Sequence, residues 1–267
     1  MVRFIPTRRR QFTLYLDFVT RTPEKIRVIT RDVNKPNTVY SDRIVQVNGK
    51  RKIFVSLPIS PDALALEIFN INTHRQLEVD PSFEVTVSAN PLMRYEIVTD
   101  DDTRAFLEFN NWFSENAGIL SATRPDGSPS IYQSKNGMYT IKYMDVIKDD
   151  RGNPMSTPAR VGHESGIIEV AASHFRRYTV PMRHIILDHE FSHKYRNPKL
   201  GFPIDDEIGA DINALYFYLG EGFSKIDAVW VYTEVFYKAS SPDNMKRMAV
   251  IMDYIKKFEN EEFAKRS

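Results

Sequence analysis

Polar and apolar positions alternate through the first third of the chain, and apolar positions recur at helical spacing through the last third. The alternation is clearest in RIVQVNGKRKIFVSL (43–57). There Asn48-Gly49 supplies two residues able to take positive φ, which predicts a two-residue hairpin. FTLYLDFV (12–19), EKIRVIT (24–30), ALALEIF (63–69) and SFEVTVSA (82–89) predict further strands, punctuated by Pro23, Pro36, Pro58, Pro61 and Pro81. Short strands at this spacing predict a small antiparallel sandwich over residues 1–93, and the pattern changes at NPLMR (90–94).

In the remaining part, 94–267, Phe106, Phe109 and Phe113 mark an amphipathic helix over 102–117, with Gly118 as its stop. Pro125-Asp126-Gly127 and Asn136-Gly137 mark turns, and MYTIKYMDV (138–146) and GIIEVAASHF (166–175) read as strands. From about residue 179 the spacing predicts helices almost throughout: 181–196, 205–219, 224–238 and 242–264. The last carries Met245, Met248, Met252 and Ile255 on one stripe, which is assigned to core packing. The expected fold class is therefore α+β, in two domains.

Composition narrows the chemistry. The chain of 267 residues is 42% hydrophobic and 27% charged with a formal net charge of +1, as in ordinary globular proteins, so charge gives no argument for a nucleic-acid or membrane partner. No stretch reaches the ~18 apolar residues of a membrane span, and MVRFIPTRRRQF has no apolar signal core, so a cytoplasmic location is expected rather than secretion by a signal peptide. With no cysteine, disulfides and thiolate metal sites are excluded, and any transition metal must be held by histidine and carboxylates.

One short stretch meets that requirement. RHIILDHEFSHKYRNP (183–198) holds His189, Glu190 and His193 in an H-E-x-x-H arrangement inside a predicted helix. Residues four apart share a helix face, so both imidazoles can meet one ion with Glu190 beside them to take a proton from water. With six histidines in the chain, such a pattern arises by chance on the order of once in a hundred sequences. A third ligand is needed, and the next predicted helix, IDDEIGADINALYFYLG, offers it. Its apolar stripe (Ile208, Ile212, Leu215, Leu219) adjoins a face of Glu207, Ala210, Asp211 and Ala214, whose small residues allow close approach. Glu207 is placed to reach the ion, and Asp211, one turn on, to accept a hydrogen bond from the outer nitrogen of a ligating histidine.

HEFSH followed by DEIGAD resembles the zincin metallopeptidases of the gluzincin type, in which H-E-x-x-H on one helix is completed by the Glu of an E-x-x-x-D motif on the next. The resemblance covers about residues 95–267 and implies a zincin-like metallopeptidase domain after the sandwich. It implies Zn2+ held by His189, His193 and Glu207, with Glu190 as general base and Asp211 as the partner of a ligand histidine. It also likens GIIEVAAS to the edge strand that pairs with extended substrate. Thirteen residues separate His193 from Glu207, fewer than in many members. Tyr232 is a candidate oxyanion stabiliser, though a core role suits it better. The organisation as a whole also resembles virion components of tailed bacteriophages, notably a ring protein of crAss-like phages.

The remaining histidines read as structural: His184 lies off the metal face, His163 and His174 fall at loop or strand ends, and His74 sits in the sandwich. Asp205 and Asp206 read as first-turn acids favoured by the helix dipole. Arg8-Arg9-Arg10, with Arg3 and Lys25, form a basic arm read as solvated. Two functions follow as expectations. One is a zinc metalloendopeptidase acting on a protein or peptide, with the sandwich as its docking domain. The other is a structural virion ring or tail component that forms a homo-oligomer or larger assembly and has little or no peptidase activity.

Overall fold

A computed structural model describes residues 1–72, 83–162, 164–195, 206–237, 241–261 and 265–266. The predicted turn through Asn197-Pro198, together with His74, His163 and Asp205, lies outside them. The chain divides into two compact units, Met1–Met93 and Arg94–Ser267, in a mixed α+β architecture.

The first unit contains two antiparallel sheets. One has the order β1 (Val2–Pro6), β6 (Ala63–Asn70), β3 (Glu24–Asp32), β4 (Val39–Val47); the other has β5 (Lys50–Leu57), β2 (Phe12–Thr20), β7 (Phe83–Pro91). Alternate positions are buried in both: Ile26, Val28, Leu64, Leu66 and Ile68 in the first, Leu14, Leu16, Phe18, Ile53, Val55 and Leu57 in the second. This is the period-two pattern that the sequence carries.

One expectation for this unit is corrected. β4 and β5 are not a hairpin: β4 pairs with β3, β5 pairs with β2, and Asn48-Gly49 is a corner between the sheets. Gly49 does take positive φ (72°), as expected, but it spends it on the corner, where Thr20 N donates to Gly49 O and Gly49 N donates to Thr20 Oγ1. Each strand already has a partner of its own length, so the turn signal alone does not decide pairing. The basic segment is likewise tied down. β1 pairs with β6, and Arg8 and Arg9 take φ of 51° and 55° in a turn whose amides donate to Asp62 O and Pro61 O.

The second unit holds six α-helices among the described residues: α1 (Asp101–Asn116), α2 (Ala172–Phe175), α3 (Val180–Ser192), α4 (Glu207–Gly220), α5 (Lys225–Val231) and α6 (Pro242–Glu259). A π-helical turn, Tyr232–Phe236, continues α5. Its main sheet has the order β11 (Ala159–Val161), β12 (Ile168–Ala171), β10 (Thr140–Met144), β9 (Ser130–Gln133), with β12 parallel to β10 and the other pairs antiparallel. A short pair joins β8 (Tyr95–Glu96) to β13 (Lys265–Arg266). α1 begins where Asp100 accepts from Thr103 N at 2.7 Å, and it buries Phe106, Phe109 and Phe113 as expected. The strand expected over 166–175 ends at Ala171, where the chain turns into α2. β12 is moreover an inner strand. The strand outside it is β11, three residues long and too short to read from periodicity; β9 forms the other edge.

The apolar stripe of α6 also differs from expectation. Ile251, Tyr254, Ile255 and Phe258 are buried, whereas Met245 is 67% and Met252 48% exposed. Both sets have helical spacing; the aromatic and branched set covers more apolar area and therefore takes the inner face.

α3 is buried nearly all round, against α1, α4 and α5. Its polar side chains are consequently paired within the protein. Arg183 donates to Phe175 O (2.6 Å) and Ser114 O (2.9 Å). His184 lies with Nδ1 2.9 Å from Asp188 Oδ2 and Nε2 2.9 Å from Asn111 Oδ1 and 3.2 Å from Glu221 Oε2. Asn110 Nδ2 donates to Asp188 Oδ1 at 2.8 Å. His184 is thus structural, as the spacing suggested. Burial disfavours its charge, but Asp188 and Glu221 override that and push its pKa up to about 10.

Removing this imidazole leaves Asp188 and Glu221 without their shared cation. His184→Ala is expected to lower unfolding stability by about 3–5 kcal/mol in urea titrations near pH 6. Since the folded pKa is raised from 6.5 to about 10, the contribution is complete below about 6.5 and fades as pH rises toward 10. A loss under about 1 kcal/mol, or one that grows with pH, would contradict this assignment.

Candidate metal centre

Two helix ends create the site. α3 stops at His193, its C-cap residue, so His189 and His193 occupy its last turn with rings 4.8 Å apart. α4 starts at Glu207 because Asp206 caps it, accepting from Ile208 N at 2.9 Å. Asp206 is therefore the cap and Glu207 the first helical residue. Packing α3 against α4 brings the start of one to the end of the other. Ala210 and Ala214 are the small residues of the face that carries Glu207, and Asp211 is wholly buried.

The three expected ligands converge. His189 Nε2 is 3.2 Å from His193 Nε2, 3.5 Å from Glu207 Oε2, and His193 Nε2 is 3.7 Å from Glu207 Oε1. A tetrahedral ion with bonds of about 2.0–2.2 Å separates its ligand atoms by roughly 3.3–3.6 Å; the observed distances lie close to that, the two to Glu207 ending on different oxygens of its carboxylate. His189, His193 and Glu207 are the group of described residues whose ligand atoms can meet at one ion. The donor set of two nitrogens and one carboxylate oxygen, with no thiolate, could hold a divalent metal ion.

The surroundings orient these groups. His189 Nδ1 lies 3.0 Å from Asp211 Oδ1, at hydrogen-bonding distance although the angle is not that of a formed bond. This places Asp211 behind His189 as its spacing implied, the arrangement that fixes a ligand imidazole's tautomer and basicity. Phe236 packs on the ring of His189 at 4.6 Å between centroids. The π-helical turn explains how: Tyr237 N donates to Tyr232 O, five residues back, and so residues 236 and 237 straddle the line above Tyr232. All three then face the site, with Tyr232 donating to Asp211 O at 3.0 Å and the Tyr237 hydroxyl donating to Asp211 Oδ2. Tyr232 is thereby a buried core residue and not an oxyanion donor.

A cleft of about 480 Å³ opens over the cluster, bounded by Ser156–Val161, which includes β11, and by Glu190, Phe236 and Arg247. Glu190 is 8% exposed, and burial raises its pKa above the ordinary carboxylate range while the Val161 backbone opposes the shift. Glu207 is half-exposed, and its neighbours His189, His193 and Arg247 hold its pKa down to about 2. For His189, burial disfavours charge, but Asp211 and Glu207 outweigh it and push the pKa up to about 10. Arg247 was missed at the sequence level; its only signal is its place one turn before Ile251 on the buried stripe of α6. His174 stands away from the cluster, beside Tyr178.

A metal must displace the proton that His189 holds near neutrality. The protein is expected to take up one equivalent of zinc, with affinity rising about tenfold per pH unit from pH 6 to 8, and His193→Ala is expected to lose that equivalent. Equilibrium dialysis with metal analysis checks both; a hydrogen-bonded histidine pair that holds no metal would show neither. Neither the protein-family models, nor the curated proteins, nor the solved structures contain a match to this chain.

Proposed function

We propose that the chain is a zinc-dependent peptide hydrolase of the zincin type, with His189, His193 and Glu207 as ligands and Glu190 as general base. The observation that carries this reading is the meeting of two imidazole nitrogens and a carboxylate at tetrahedral-edge distances on the wall of an open cleft. Bound there, a zinc ion acidifies water and polarises a carbonyl.

The rest is the work of side chains. Glu190 lines the same cleft, and its raised pKa suits a group that takes a proton from water and passes it to a leaving amine. Asp211 holds the imidazole of His189 in the orientation that keeps Nε2 facing the cluster. Phe236 covers the ring from the other side and limits water there. β11, an outer strand of its sheet, runs along the cleft, and a strand edge pairs naturally with an extended peptide. A peptide substrate class is favoured for that reason. Within this reading the two-sheet unit Met1–Met93 is a docking part, and its partner surface is a protein.

Glu190→Gln keeps the ligands and removes the base. With zinc supplied, the wild type is expected to cleave an unfolded fluorescent protein substrate, and the variant to lose about 10²–10⁴-fold in rate while keeping its metal equivalent. A wild type that binds zinc yet cleaves nothing, or a variant of undiminished rate, would overturn the hydrolase reading and leave a metal-stabilised assembly protein.

A further inference from the structure

Arg247 is the cation of the cleft wall that contacts the candidate ligand sphere directly. Its stripe on α6 continues into buried Ile251, Tyr254 and Phe258, which anchors the helix and sets where the guanidinium emerges. The side chain is only 16% exposed. Nη2 lies 2.9 Å from Glu207 Oε2 and 2.8 Å from Asp211 Oδ2, and Nε donates to the same Asp211 oxygen at 2.9 Å. The guanidinium also sits 4.7 Å over the ring of Tyr237, whose hydroxyl donates to that oxygen.

Each carboxylate therefore meets both the guanidinium and an imidazole. Asp211 presents Oδ1 to His189 Nδ1 and gives Oδ2 to Arg247 and Tyr237. Glu207 Oε2 accepts from Arg247 Nη2 and also lies 3.5 Å from His189 Nε2, while Oε1 lies 3.7 Å from His193 Nε2. A flat guanidinium can hold two acceptors at fixed spacing, which a lysine ammonium cannot reproduce. Glu207 especially needs such restraint, because it is half-exposed at the first position of its helix and free to swing into water.

We propose that Arg247 is a positioning residue that pins the Glu207 carboxylate beside the two imidazoles for metal ligation and locks Asp211 behind His189. Its Nε and Nη2 are committed to these carboxylates. The inference rests on the metal-centre reading above. It assigns to α6, an element outside the two motif helices, control over how tightly the ion is held.

The test is zinc affinity measured by competition with a chromophoric chelator, on wild type, Arg247→Met and Arg247→Lys, with the thermal midpoint of each metal-free protein recorded alongside. Arg247→Met is expected to weaken zinc binding about 10–100-fold, as loss of a ligand's supporting partner does elsewhere. Arg247→Lys, which keeps the charge but cannot bridge both acids, should also weaken it, by at least about fivefold. In a Glu207→Ala background most of the Arg247→Met effect should vanish, which a general loss of stability would not produce. Undiminished affinity in both Arg247 variants, or an equal effect with and without Glu207, overturns the positioning role alone. A wild type that takes up no zinc overturns the metal-centre reading itself, and the positioning role with it.

Discussion

Helix α3 is buried along its length yet carries Arg183, His184, Asp188, His189, Glu190 and Ser192, and where water is excluded each needs a partner within the protein. That constraint organises the second unit. The earlier half of the helix is satisfied by structural groups: backbone carbonyls for Arg183, and Asp188, Asn111 and Glu221 around His184. Ser192 donates to Asp188 O and accepts from Asn213 of α4, which joins the two motif helices. His189 and Glu190 remain, and they face the cleft with acidic partners behind or beside them.

A site built this way is held from three directions. α4 contributes the carboxylates Glu207 and Asp211, the π-helical turn contributes Phe236 and Tyr237, and α6 contributes Arg247. The carboxylates alone would repel one another, and the guanidinium between them offsets that repulsion while both still face the imidazoles. The sheet then supplies the opposite wall, because β12 places β11 outermost and along the cleft. No helix among the described residues is long and apolar enough to cross a membrane.

Much of this was legible in the residues, and the reasons for the rest are physical. His189, His193, Glu207 and Asp211 could be placed because helical spacing is local: four residues apart means one face, and small neighbours mean close approach. The strands of the first unit could be placed because burial on one face imposes alternation. Pairing could not, since Asn48-Gly49 fits a hairpin and a sheet-to-sheet corner equally well and the choice lies with β2 and β3. The phase of α6 was ambiguous between a methionine stripe and an aromatic one, and choosing the wrong phase concealed Arg247. β11 has only three residues, Ala159–Val161, which no periodicity can reveal, and so in the sequence β12 reads as the edge. The π-helical turn reads as ordinary helix until its i→i+5 bond is seen.

The account's central claim is that one ion sits among His189, His193 and Glu207. Crystals grown with zinc and measured on both sides of its absorption edge test that most directly. The account predicts a single strong anomalous peak about 2.0–2.2 Å from both Nε2 atoms and from one oxygen of Glu207. A peak bound elsewhere, or a Glu207 side chain turned into solvent with the imidazoles joined only to each other, would contradict it.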